Sequence, residues 1–206
     1  MASPITARQT GLIGVAAAGL ILVSQVSQLV LPMTMPESFW VATQSLRMGL
    51  ALVAMFVLLI ALTGLYTRHG AAMGRAGLVG YLTAFLGTLL VAGNWWYEAF
   101  IGPVLREQAP ELLATAPSGS ILTGAVLTAA TFAAGWTIFG IASYRAAVVP
   151  AGAAVLLTIG GIAGILAFIS PFQIPLALAV GWIGSRLIRS EGRDVQPHAS
   201  QVTAVA

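Results

Sequence analysis

"AGLVGYLTAFLGTLLVAGNWWYEAFI", residues 76–101, is the stretch on which the reading of this chain turns. A hydrocarbon core about 30 Å thick needs roughly 20 apolar residues of helix, and this run exceeds that. It carries no charge until Glu98, which follows Trp95, Trp96 and Tyr97 directly. At about 100° per residue, Gly80, Thr83, Gly87, Val91, Asn94 and Glu98 share one helix face. A stripe of small and polar residues on a helix in lipid is predicted to meet other helices, with Gly80 and Gly87 as the close contacts. Trp96 points almost the opposite way. Trp95, Trp96 and Tyr97, together with Trp40 in an earlier loop, read as anchors at the outer membrane interface.

Composition extends this reading to the whole chain. Its 206 residues are 58% hydrophobic and 7% charged, with a mean hydropathy of +0.94. Soluble domains are typically about a quarter charged, so so apolar a chain is expected to have lipid as its solvent. The net charge of +3 does not point to nucleic acid, because the arginines stand singly at the ends of apolar runs and no basic aromatic stripe occurs. There is no cysteine and no lysine. Thiolate metal sites, iron–sulfur clusters, disulfides and side-chain Schiff bases are therefore excluded. The histidines are His69, in a turn, and His198, near the end, so a haem held by two histidines within the membrane is excluded too. No cofactor is predicted.

The fold class that follows is an all-α integral membrane bundle of about six transmembrane helices. The spans fall near 11–31, 47–66, 76–101, 118–144, 148–170 and 172–188, separated by "LPMTMPES", "TRHGAAMGR", "GPVLREQAPE", "APSGS", "SYRAAVVP" and "SPFQIP". The sixth is short, opens with Pro171 and Pro175, and relies on Arg186 and Arg189 snorkelling at its end; a re-entrant or tilted segment is the alternative. The first span lacks a following A-x-A site and reads as a retained helix. Residues 1–189 form one transmembrane domain and 190–206 a flexible cytoplasmic tail.

If the spans alternate, Arg8, Arg68, Arg75, Arg145, Arg186, Arg189 and Arg193 lie on one side, which predicts cytoplasmic N and C termini in the inner (plasma) membrane of a bacterium. The outward loops, 32–46 and 102–117, each have the mixed pattern of a short interfacial helix.

Gln25, Gln28, Arg47, Asn94 and Glu98 then come to a similar depth near the outer boundary. Arg47 shares a face with Ala51, Ala54 and Ala61, and a Glu98–Arg47 ion pair with the two glutamines as a clamp is the expected arrangement. Gly160 and Gly164 form a G-x-x-x-G packing motif. Glu107 and Glu111, one turn apart in a loop with no histidine near, read as a solvated face. His69, beside Arg68, reads as meeting headgroups or water. The expected function is a non-catalytic structural or accessory subunit that acts through helix packing, as a homo-oligomer or within a larger membrane complex. A small-solute carrier or channel with its site around Glu98 and Arg47 ranks second. A membrane enzyme using Glu98 ranks third, since no second catalytic group is evident.

Overall fold

The computed structural model describes residues 6–114, 118–169 and 171–194, which are helical or in turns, with no strand among them. The helices are α1 (Ala7–Thr34), α2 (Glu37–Ala42), α3 (Gln44–Phe100), α4 (Gly102–Gln108), α5 (Pro110–Ala114), α6 (Gly119–Arg145), α7 (Ala151–Ala163) and α8 (Ile174–Asp194). Of these, α1, α3 and α6 are long and apolar enough to cross a membrane.

Helix α1 starts where the sequence supplies a reciprocal cap. The Gln9 amide N–H donates to Thr6 Oγ1, and the Thr6 N–H donates to Gln9 Oε1 at 2.9 Å. Two of the four N–H groups that a helix start leaves without partners are thereby satisfied or protected.

Helix α3 has 57 residues and as a straight rod would reach about 85 Å. It does not. Tyr66 stacks on Tyr81 with centroids 4.2 Å apart and planes 6° apart. Thr63 Oγ1 lies 3.3 Å from the Tyr81 hydroxyl, and Gln44 at one end meets Glu98 at the other. The element is a hairpin whose arms, 44–73 and 75–100, run antiparallel. It reverses at Gly74, with φ 58° and ψ −152°, a backbone region that a residue with a Cβ enters only at a cost. The loop expected between the second and third spans is thus helical almost throughout and turns at one residue.

The fifth and sixth expected spans also differ from the sequence reading. The stretch 148–170 yields only the short α7, followed by a 3₁₀ turn at Gly164–Leu166. Gln173, buried, donates from Nε2 to the Ala167 carbonyl at 2.7 Å, which ties the residue before α8 to the end of the 3₁₀ segment. Helix α8 continues past Ser190 to Asp194, into the segment read as a flexible tail; 195–206 lie outside the described residues.

Between α6 and α7 the chain turns by a specific device. The Val148 N–H donates to Ser143 O at 3.3 Å and the Ala147 N–H to Tyr144 O at 3.0 Å, while Ala147 takes φ 52°. This is the hydrogen-bond pattern that ends helices with a left-handed residue, here filled by alanine where glycine is usual.

Neighbouring elements meet at glycines. A Cβ added at Gly135 would stand 2.1 Å from the Ala84 backbone nitrogen, and one at Gly87 would stand 2.4 Å from Phe132 Cα. Gly80 abuts Phe139, Gly161 abuts Thr137, Gly160 abuts Leu176, and Gly11 abuts Gly184 in the same manner. Residue numbers rise on one member of each pair as they fall on the other, so α6 is antiparallel to the 75–100 arm, α7 to α6, and α8 to both α7 and α1. Large side chains fill the interior behind these seams: Phe132, Trp136, Phe139, Met55, Leu58, Leu62 and Leu157 are fully buried.

Candidate functional site

The polar residues singled out in the sequence gather at the end of the hairpin opposite Gly74. Arg47 is 5% exposed and Gln25 is buried as well. Glu98 and Asn94 are half-buried. Glu98 accepts a long hydrogen bond, 3.4 Å, from Gln44 Nε2, and Arg106 Nη1 donates to Gln44 Oε1. Gln44 therefore links a carboxylate on the second hairpin arm to a guanidinium on α4. It is 4% exposed and lies one turn before Arg47, on the same face. Gln28 bonds within its own helix, Nε2 donating to Ser24 Oγ at 3.0 Å.

Gln44 and Arg106 did not emerge from the sequence because both were placed in outward loops. The signal available was the three-residue spacing from Gln44 to Arg47, which becomes informative only once the helix is known to begin at residue 44.

The inward face of the 75–100 arm also needs correction. Trp95, read as an interfacial anchor, is 4% exposed and belongs to the core. Ala84, Thr88, Val91 and Ala99 are buried with it, whereas Thr83, Asn94 and Glu98 are only half-buried. The buried face is centred about one residue further on than the polar stripe implied, because the arm is packed between the 44–73 arm and α6 and must bury both flanks. Trp96 is 50% exposed, Tyr97 is half-buried, and the side chain of Trp40 lies outside the described residues. Within the core the Trp136 indole N–H donates to Thr88 Oγ1 at 3.0 Å, a pairing across two helices that the sequence reading missed.

Gly80 and Gly87 face α6, and Gly160 faces α8. Gly164 meets the Phe132 ring. Both glycines of the G-x-x-x-G motif are thus occupied by contacts within this chain.

At the other end, His69 lines a cavity that opens beside Arg186 and Arg189. The residue is half-buried between Leu65, Met73, Phe139, Val149 and Ile183, and its Nε2 is buried with no hydrogen-bond partner among the described residues. Burial first, and the Arg68 charge second, hold its pKa below the ordinary histidine value. Among the described residues no group of three or more His, Cys, Asp or Glu stands close enough to hold a metal ion.

Comparison of the chain with protein-family models, with curated proteins and with solved structures finds no match in any of the three.

Proposed function

We propose that the chain is a multi-pass protein of the bacterial inner (plasma) membrane, with six spans and cytoplasmic termini, whose role is structural or accessory and rests on helix packing. Counting α3 as two arms, with α7 and its 3₁₀ extension as a fifth and α8 as a sixth, gives an even number of crossings. The arginines at the α3 reversal, at the end of α6 and at the end of α8 then share the cytoplasmic side.

The observation that carries the non-catalytic reading is the glycine seams. Backbone meets backbone where a Cβ would clash, and helices in lipid, which gain nothing from hydrophobic exclusion, associate by such close contact. The polar groups at the outer end support it, since Glu98, Gln44 and Arg106 are engaged with one another. A partner, whether a second copy or a larger membrane complex, would add to the same mode of association.

Reporter fusions test the topology: sites after Arg75 and Arg145 should read cytoplasmic, and one at Ala109 external. A cytoplasmic signal at Ala109 would overturn six spans. The role is tested by the neutral pair Glu98→Gln with Arg106→Gln, which should keep cellular function in a strain lacking the native chain. Loss of a solute flux with the fold intact would favour a carrier instead.

A further inference from the structure

A cavity of about 740 Å³ opens between the reversal of α3, the turn into α7 and the C-terminal half of α8. Its volume falls in the range of ligand sites, roughly 300–1,000 Å³. The lining is of two kinds. Pro150, Trp182 and Leu187 supply apolar surface, while Arg186 and Arg189, on the same face of α8 as Trp182 and one to two turns further on, supply cationic groups. No carboxylate is among its described lining residues. Of the six acids, Glu37, Glu98, Glu107 and Glu111 belong to the opposite end of the hairpin, and Glu191 and Asp194 follow later in α8.

The chemistry of that lining is specific. Arg186 and Arg189 are three residues apart and so share a helix face. Both are exposed, so their hydration is available for exchange. One Arg189 N–H, at Nε, is bonded to Ser185 O at 3.2 Å; a guanidinium has four others, in a fork that suits phosphate oxygens. The negative end of a helix dipole opposes an anion, but that effect fades beyond the last turn, and Arg186 lies two turns before the end of α8. A soluble anion would use the arginines and leave the tryptophan wall wet. A neutral lipid would use the apolar surface and bring no net negative charge to the two arginines.

We propose that this cavity binds an anionic phospholipid, with its phosphate on Arg186 and Arg189 and its glycerol and first acyl carbons against Trp182, Pro150 and Leu187. Basic pockets between helices on the cytoplasmic side recognise headgroups in this way. The ligand class rests on the membrane reading given above, whereas binding in nanodiscs, where both faces are accessible, is independent of which way the chain sits.

Trp182 is the natural probe. Purified protein is titrated with phosphatidylglycerol carrying brominated acyl chains, and separately with the matching phosphatidylcholine; a Trp182→Phe variant identifies the fluorescence belonging to that residue. Phosphatidylglycerol should quench Trp182 at about thirtyfold lower concentration, the preference expected from two arginines near a headgroup. Arg186→Gln with Arg189→Gln should abolish the preference, while Arg75→Gln with Arg145→Gln, which removes two charges that do not line the cavity, should keep it. Equal quenching by the two lipids in the unaltered chain overturns the proposal, and that comparison needs no variant to fold. Equal weakening by the control pair overturns it in favour of diffuse attraction. Displacement of the lipid by glycerol 3-phosphate at matching concentrations overturns the amphiphile, because the apolar wall would then contribute nothing.

Discussion

Trp136 on α6 donates its indole N–H to the hydroxyl of Thr88 on the α3 hairpin at 3.0 Å, and both residues are fully buried. The same hydroxyl donates to the Ala84 carbonyl at 2.7 Å, so Thr88 accepts across the seam and donates along its own helix. Thr88→Val keeps the shape and removes the acceptor, which leaves a buried N–H without a partner. The expected loss is about 1–2 kcal/mol, toward the upper end of what hydrogen bonds in membrane helices contribute. Thr88→Ser should recover most of it. Unfolding in mixed micelles measures both, and equal stability of the valine and serine variants would remove the bond from the energetics.

The seam beside that bond makes a second prediction by contrast. Gly135 and Gly124 are both on α6. A Cβ at Gly135 would meet the Ala84 backbone at 2.1 Å, whereas one at Gly124 would meet nothing within 4 Å. Backbone cannot rotate aside as a side chain can. Gly135→Ala should therefore destabilise by about 1–3 kcal/mol or more, while Gly124→Ala should be neutral or stabilising by up to about 1 kcal/mol. Thermal melts of the two variants, purified side by side, give the comparison; similar melting temperatures would contradict the seam.

These contrasts show what the sequence discloses and what it conceals. The turns were legible, because Gly74, Pro150 and Pro171 act on the local backbone whatever the solvent. The reach of an apolar run was legible too, since length and absence of charge suffice. The inward face was not. In water, the apolar side of a helix points inward, but lipid is as apolar as a core, so the apolar character of Trp95 does not report its burial; only its angle, on the flank of the small-residue stripe, separates it from Trp96 on the far side. The polar stripe of Asn94 and Glu98 is real but marks the edge of the buried face. Gln44 was missed for a different reason: its role depends on Glu98 being folded back across 54 residues of sequence, and no local pattern reports that. His69 reads locally from its neighbour Arg68, whereas α6, the turn into α7 and α8 supply most of its surroundings.

Ala147 offers a stabilising substitution. Its φ of 52° places a Cβ in the left-handed region, at a cost of about 1–2 kcal/mol, partly offset because glycine loses more freedom on folding. Ala147→Gly should raise stability by about 0.5–1 kcal/mol, with the turn's two hydrogen bonds unchanged. Since Val148 and Val149 follow at once, and line the cavity beside Trp182, the variant should also leave lipid quenching of Trp182 as it was. A lower melting temperature would show that the left-handed turn is not populated.

His69 makes stability depend on pH in a direction that can be worked out. Its charged form is disfavoured by burial first and by Arg68 second, and the buried Nε2 offers an added proton no acceptor among the described residues. Arg186 and Arg189 line the same cavity and add charge of the same sign. The unfolded chain takes up this proton near pH 6.5, an ordinary histidine value; the folded chain does so only at lower pH. Between those two points the unfolded state binds more protons, so stability rises with pH. Stability should thus be level above about pH 6.5 and fall as the pH drops below it. His69→Gln should flatten that slope between pH 7.5 and 5.5, a window above most carboxylate titration. Arg68→Gln should flatten it only in part, because burial is the larger cause. Melting temperatures of the three proteins across the window decide the matter: an equal slope in His69→Gln would assign the pH response to another group, and full flattening by Arg68→Gln would put the charge ahead of burial.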